Sequence, residues 1–293
     1  MAGKQVRVTT RHRIEYAAAR LGQALVCALP SSAARATGAA LGSFAFSVLR
    51  IRRDVVMSHL RRVFGKSRSE DELLRVAKES YRNFGRMTFE FARFPRMSRS
   101  DVERHVRVSG AEHLDAALSE GRGAILVAAH FGNWELAATL AVRGYPVTFL
   151  VGEQHNILVD RMMNGLRERF GVETVPVTGS LTGVLRALRR NRIVAMLSDQ
   201  DAGRSGVFVD FLGLPASTPY GPGRLAARTG APLLPGVAIR RGGPDHELVI
   251  CGPVPSPDDG LPLEERTRLL TQGYTSVYTA SGLFAALAAL IQA

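Results

Sequence analysis

Hydrophobic positions change their period along this chain, and each change marks a different kind of element. The first fifty residues hold two fourteen-residue runs without a charge, "LGQALVCALPSSAA" and "ATGAALGSFAFSVL", separated by Arg35. Pro30-Ser31-Ser32 between them is a helix stop followed by a helix start. The pattern predicts two apolar helices, over 13–29 and 32–49. Each run falls short of the ~20 residues that cross a bilayer. With basic flanks, such helices suit the plane of a membrane interface. A pair of buried helices in a soluble protein and a cleaved signal peptide are the other readings of the same pattern. Arg50-Ile51-Arg52-Arg53 favours holding that end in the cytoplasm.

From residue 70 the period is that of an amphipathic helix. Leu73, Leu74, Ala77, Tyr81, Phe84 and Phe91 recur at helical spacing up to Pro95. After residue 105, short apolar strands alternate with helical stretches. Strands are predicted at 124–129, 147–151, 173–177, 193–198, 207–211, 233–239 and 247–251. Helices are predicted at 111–120, 133–143, 157–170, 180–190 and 220–229, with Gly171 and Gly230 as terminators. This order implies an α/β fold with a mostly parallel central sheet flanked by helices, preceded by N-terminal apolar, membrane-associated helices. A boundary is drawn at residue 68: residues 1–68 form a basic, apolar anchoring segment, and 69–293 the α/β domain.

Charge sharpens the first part. The chain carries a net +12, and residues 1–68 supply +11 of it, with Glu15 and Asp54 as their only acids. A basic excess confined to one end fits an anionic membrane or nucleic acid. The arginines alternate with apolar helices rather than with a recognisable nucleic-acid reader, so no nucleic-acid partner is expected. Cys27 and Cys251 stand far apart without a Cys or His cluster, so neither a disulfide framework nor a metal site is expected.

The candidate chemistry lies in "GAILVAAHFGNWELAATL". His130 falls at the carboxyl end of a strand apolar on both faces, where open α/β sheets place their sites. Glu135 falls in the first turn of the following helix, where the helix dipole favours a carboxylate. The two can meet as a base and its orienting acid, leaving the second ring nitrogen to deprotonate a hydroxyl. A strand-ending histidine and a helix-capping glutamate explain the same residues. No Gly-x-Ser-x-Gly elbow, phosphate loop or dinucleotide fingerprint is present.

"HFGNWE" resembles the His-x4-Asp/Glu signature of glycerolipid acyltransferases. "VRVSGAEHLDAALSEGRGAILVAAHFGNWELA", "SDQDAGRSGVFVDFLGLPASTPYGPGRLAARTGAPLLPG" and "SYRNFGRMTFEFARFP" resemble one branch of them. That branch is the lipid A lauroyl and myristoyl acyltransferases and their phosphatidylinositol mannoside cousins. The resemblance spans roughly residues 13 to 278. It implies an enzyme that moves an acyl chain from an acyl thioester, on acyl carrier protein or CoA, to a lipid A precursor or another glycolipid or lysophospholipid. It implies no cofactor beyond that co-substrate, and a place on the cytoplasmic face of the inner membrane. It also implies roles: His130 as base, Glu135 as its partner, and Asn133 and Arg167 beside the oxyanion or a lipid phosphate. Glu153 stands as a further site acid, Asp199, Asp201 and Arg204 in the acceptor-binding block, and Asp210 facing the site. A non-catalytic membrane-binding relative is the contrasting reading. From about residue 279 the Ala/Leu-rich end departs from the Trp- and Arg-rich tail usual in this branch.

Overall fold

The computed structural model describes residues 8–65, 67–178 and 181–280. Four helices lead: α1 (Thr10–Ala28), α2 (Ser31–Ser47), α3 (Arg53–Phe64) and α4 (Glu70–Ala92). Thr9, Ser69 and Ser98 each close a reciprocal cap on the helix that follows. Arg93 donates to the carbonyls of Val26, Cys27 and Leu29, closing the carboxyl end of α1. The sequence boundary at residue 68 falls in the turn before α4, and α4 itself lies along α2. Their backbones approach so closely that a Cβ on Gly38 would stand 2.4 Å from the Gly85 carbonyl oxygen, and one on Gly85 2.0 Å from that of Gly38. Neither glycine admits a larger residue without separating the helices. No helix among the described residues is long and apolar enough to cross a membrane.

The α/β part follows as α5 (Arg99–His105), β1 (Val106–Ser109), α6 (Ala111–Ser119), β2 (Ala124–Ala128), α7 (Thr139–Val142), β3 (Val147–Val151), α8 (Ile157–Glu168), β4 (Glu173–Pro176), α9 (Leu181–Arg189), β5 (Ile193–Leu197), β6 (Val207–Phe211), β7 (Leu214–Thr218), α10 (Gly221–Thr229), β8 (Leu233–Gly242), β9 (Asp245–Ile250) and α11 (Leu263–Ala280). Seven strands form one sheet in the order β1-β9-β8-β2-β5-β3-β4. It is parallel from β4 to β8; β9 pairs antiparallel to β8, and β1 runs with β9. The mostly parallel sheet expected from the alternating pattern is therefore present. Two of the expected elements take another form. The strand expected at 207–211 pairs only with β7, in a separate hairpin off the sheet. The helix expected at 133–143 is a 3-10 helix over Trp134–Ala138 followed by the single turn of α7.

Strand alternation assigns each face of the sheet its own layer. Ala124, Leu126, Phe149, Ile193 and Ala195 pack under α6, α7, α8 and the end of α4. Ile125, Val127, Val194, Met196 and Val237 pack against α9, α10 and α11. Beyond Ala280 the departing tail lies outside the described residues.

Candidate functional site

β2 and β5 are paired in register, Ala128 opposite Leu197. The Ser198 N–H extends the ladder to the Ala128 carbonyl at 3.1 Å. Two residues past the paired positions, each chain delivers one polar side chain, His130 and Asp199. Asp199 accepts from His130 twice: Oδ1 from ring Nδ1 at 2.7 Å, and Oδ2 from the backbone N–H at 2.8 Å. A carboxylate can only accept, so the bond fixes the proton on Nδ1 and leaves the Nε2 lone pair free. The Trp134 ring meets the imidazole edge-on, centroids 4.9 Å apart.

The expected pairing of His130 with Glu135 is therefore corrected. Gly132 turns the chain sharply after His130, with φ +63°, and a Cβ there would lie 1.8 Å from the Ala238 carbonyl oxygen. The tight helix that follows aims Glu135 at α8. Its two oxygens accept from Arg167 Nε at 2.9 Å and Nη2 at 2.6 Å. The pair is nearly buried, the side chains 7% and 11% exposed. Arg167 also donates to Asn164 and lies over the Phe91 ring. An arginine held this fully by a carboxylate is not free to meet an oxyanion. Glu135 and Arg167 do line the site, as structure around it.

The other expected residues separate. Asn133 is fully buried but turned away, donating to Glu90 Oε2 at 2.9 Å. Glu153 is exposed, without a hydrogen bond or ion pair among the described residues, between the cavity-lining Gly152 and Gln154. Asp199, assigned by resemblance to the acceptor, is spent on His130. Asp201 lines the cavity that His59 of α3 also borders and caps Gly203 N–H at 2.9 Å. Arg204 is exposed and makes no ion pair among the described residues. Asp210 accepts from Gly213 N–H in the β6–β7 turn, so the hairpin uses it.

Two cavities meet at His130. One, of about 310 Å³, lies between the sheet and the covering helices, lined by Leu126, Ala128, Phe149, Ala195, Ala238 and Leu248. Alanines where the opposite face carries Val127, Met196 and Val237 leave this space empty. The other, of about 540 Å³, is bounded by His59 of α3, the β6–β7 hairpin and Tyr274, Thr275 and Tyr278 of α11. Ala129, His130 and Val237 line both. The Gly132 and Asn133 N–H groups, at the start of the tight helix, make no hydrogen bond within the described residues.

Sequence reasoning missed two supports. Glu90 joins Arg240, at 2.5 and 2.9 Å, to the turn after His130 through Asn133. Its signal was an acid on the apolar stripe of α4, between Met87 and Phe94. Tyr274 and Tyr278 of α11 reach the strand ends: Tyr274 Oη lies 3.0 Å from Ser198 Oγ, and Tyr278 donates to the Val127 carbonyl at 2.8 Å. Burial pushes the Tyr274 hydroxyl up to about 12 and raises that of Tyr278 well above its usual value, so both stay protonated donors.

Residues 3–259 match the model of a family described as bacterial lipid A biosynthesis acyltransferase. A phosphatidylinositol mannoside acyltransferase of Mycobacterium tuberculosis is 36% identical over 173 residues, covering 56% of this chain and 54% of the relative. One of Mycolicibacterium smegmatis is 35% identical over 184 residues, 60% of each. Against these the chain spans little more than half the length of the relatives it matches. A lipid A biosynthesis lauroyltransferase of Escherichia coli is 28% identical over 236 residues, covering 80% of this chain and 76% of the relative.

Proposed function

We propose, because the chain belongs to the bacterial lipid A biosynthesis acyltransferase family and because an oriented histidine stands where two cavities meet, that it transfers a fatty acyl chain from a thioester to a hydroxyl of a membrane glycolipid. The acceptor of the first reading is a lipid A precursor. The observation that carries the reading is the His130–Asp199 pair opening on the apolar cavity.

The acyl chain lies in the alanine-floored cavity, and the acceptor hydroxyl reaches His130 from the cavity beside α3. Nε2 takes the hydroxyl proton as the oxygen attacks the thioester carbon, and Asp199 stabilises the imidazolium formed. The unpaired N–H groups of Gly132 and Asn133 are the donors available to the oxyanion. The intermediate collapses with cleavage of the carbon–sulfur bond. The proton passes from Nε2 to the departing thiolate, and ester and thiol are the products. The chemistry closes without a metal or redox cofactor.

Membrane association belongs to the same proposal. Ile14, Leu21 and Leu25 share one face of α1 and are exposed. Leu41, Phe44 and Val48 do the same along α2, and Leu49, Ile51 and Val55 continue into α3. Exposed apolar stripes on a strongly basic segment suit an anionic bilayer surface. Exposed Phe84 of α4 packs on Trp134, which packs on His130, so this layer abuts the site. The resulting placement is the cytoplasmic face of the inner membrane, where acyl carrier protein or CoA supplies the donor.

A second reading, a mannosylated phosphoinositide acceptor, is favoured by the higher identity to the mycobacterial proteins. Purified protein incubated with an acyl thioester and a panel of both lipid types should yield one heavier lipid by mass spectrometry. His130→Ala should abolish it. Equal product from that variant would remove the base, and thioester left unconsumed with every acceptor would remove the transferase.

A further inference from the structure

We propose that the hollow at the corner between α1 and α2 is a binding site for a phosphorylated polyol, whether the head of a membrane lipid or a free sugar phosphate. The hollow, of about 510 Å³, is within the ~300–1,000 Å³ usual for small-molecule pockets. It lies between the start of α2, the end of α4 and β9, and no residue lines both it and either cavity at His130. One half suits an anion. α2 begins at Ser31 without a side-chain cap, so its first N–H groups are left without a helical partner. Arg35, one turn on, donates to Ser31 Oγ at 2.5 Å. Arg93 is held beside them by the carbonyls of Val26, Cys27 and Leu29, and Arg96 lines the same wall. None of these three arginines makes an ion pair among the described residues.

The other half asks for donors. Asn133 and His246 line it, fully buried and 5% exposed. Asn133 Nδ2 donates to Glu90 Oε2, which leaves Oδ1 an acceptor with no hydrogen bond. His246 Nδ1–H donates to the Pro244 carbonyl, which leaves a lone pair on Nε2, also without a hydrogen bond. Burial keeps that ring neutral. Asn133 Nδ2 and His246 Nε2 stand 2.9 and 3.6 Å from the same Glu90 oxygen, so the two unsatisfied acceptors are neighbours. The two acids of the hollow are already engaged, Glu90 by Arg240 and Asp101 by Ser98. Adjacent hydroxyls therefore answer Asn133 and His246, and an anion answers the arginines. Phosphate suits the anion half better than a carboxylate, because its free oxygens meet a helix start and several guanidiniums together. A simple anion leaves the two acceptors unsatisfied, and a plain sugar leaves the arginines unused. α1 and α2 carry exposed apolar stripes, so the corner between them stands within reach of lipid heads.

The test is a phosphorus NMR titration of the purified protein with glucose 1-phosphate and with methyl phosphate, which keeps the monoester and lacks the hydroxyls. It needs neither thioester nor acceptor, so it is independent of the proposed acyl transfer. The parent should bind glucose 1-phosphate several-fold more tightly, which reads the hydroxyl half without any variant. Arg35→Ala with Arg96→Ala should weaken both ligands, by roughly tenfold or more for each arginine that makes a charge-assisted hydrogen bond. His246→Phe should remove the preference for the sugar and leave methyl phosphate binding unchanged. Equal binding of the two ligands by the parent, binding of neither, or binding that the double arginine variant keeps would overturn the proposal. Phosphatidylcholine vesicles containing phosphatidylglycerol or, at equal charge, phosphatidylserine separate the two sources. A preference for phosphatidylglycerol that glucose 1-phosphate competes away, and that the double variant loses, identifies a lipid head. No lipid preference beside firm glucose 1-phosphate binding identifies the free sugar phosphate.

Discussion

Replacing Asp199 by asparagine separates the roles of the two acids near His130. Asp199 satisfies two donors, the ring Nδ1–H and the backbone N–H, at 2.7 and 2.8 Å. Asparagine has one acceptor oxygen. If that oxygen stays on the backbone N–H, the amide NH2 faces Nδ1, which must then accept. The proton moves to Nε2 and the base is blocked. If the amide flips, the backbone N–H loses its protein partner at this exposed strand end. The first arrangement keeps every hydrogen bond and prevails. A tautomer-inverting substitution of this kind lowers turnover by about 10⁴ in a serine-protease triad, so Asp199→Asn should lower kcat by roughly 10³–10⁴. Asp199→Ala lets water fill the gap and either tautomer form, so it should lose less, about 10²-fold, near the lower end of general-base contributions. Thiol release from the thioester donor, followed at saturating acceptor, measures kcat directly. An asparagine variant as active as the alanine variant, or either within a few-fold of the parent, would refute the reasoning.

Glu135→Gln should act on stability instead. It leaves Arg167 buried without its partner, a loss of about 3–5 kcal/mol in chemical denaturation, and Glu135→Gln with Arg167→Met should recover much of it. An unchanged midpoint for the single variant would contradict a structural role. Ala195→Leu projects into the alanine-floored cavity and should shift the product, read by mass spectrometry, toward shorter acyl chains. It should cost less than the ~1–3 kcal/mol of overpacking a filled core; an unchanged chain distribution would place the acyl group elsewhere. His246 is buried, with Nδ1 donating to the Pro244 carbonyl at 2.9 Å, and burial holds its pKa below the usual 6.5. The unfolded chain then binds the extra proton first. This contribution to stability is full above pH 6.5 and is lost as pH falls through the folded value, by up to about 1.4 kcal/mol per pH unit. Thermal unfolding of His246→Asn should show a flatter acid limb; identical limbs would rule the residue out.

Periodicity carried most of the architecture. The apolar run 124–129, Gly171, Gly230 and the alternation after residue 105 reflect local rules, and the strands and helices lie within a few residues of where those rules put them. The place of His130 just past the end of β2 was also legible, because a strand end is a place in the sequence as well as in the fold. Its partner was not. Sequence spacing favoured Glu135, five residues away, whereas Asp199 is brought by strand register across sixty-nine positions. Register between β2 and β5 depends on which strands are neighbours, and the order β8-β2-β5-β3 does not follow from the order along the chain. β7 was not among the predicted strands; it carries Pro215 and pairs only with β6, an edge hairpin that tolerates a proline.

The separation of the two proposed substrates follows from the faces of a few strands. On one face Ala128, Ala195 and Ala238 leave a hollow beneath the covering helices. On the other, Val127, Met196 and Val237 fill the space, and Tyr274 and Tyr278 bind α11 to the strand ends. The sheet is a wall between the two sides until the chain leaves β2. At Ala129 and His130, beside Val237 of β8, the wall stops, and both cavities open on the same imidazole. A base one residue pair earlier would face only one side. The same logic bears on the unusual end of the chain. The α11 side chains that bound the acceptor cavity are Tyr274, Thr275 and Tyr278, all before the departure near residue 279. Deleting the residues after 280 should therefore leave this wall intact, and the rate of thiol release from the donor should stay within a few-fold of the parent; a total loss would show that the wall alone does not suffice.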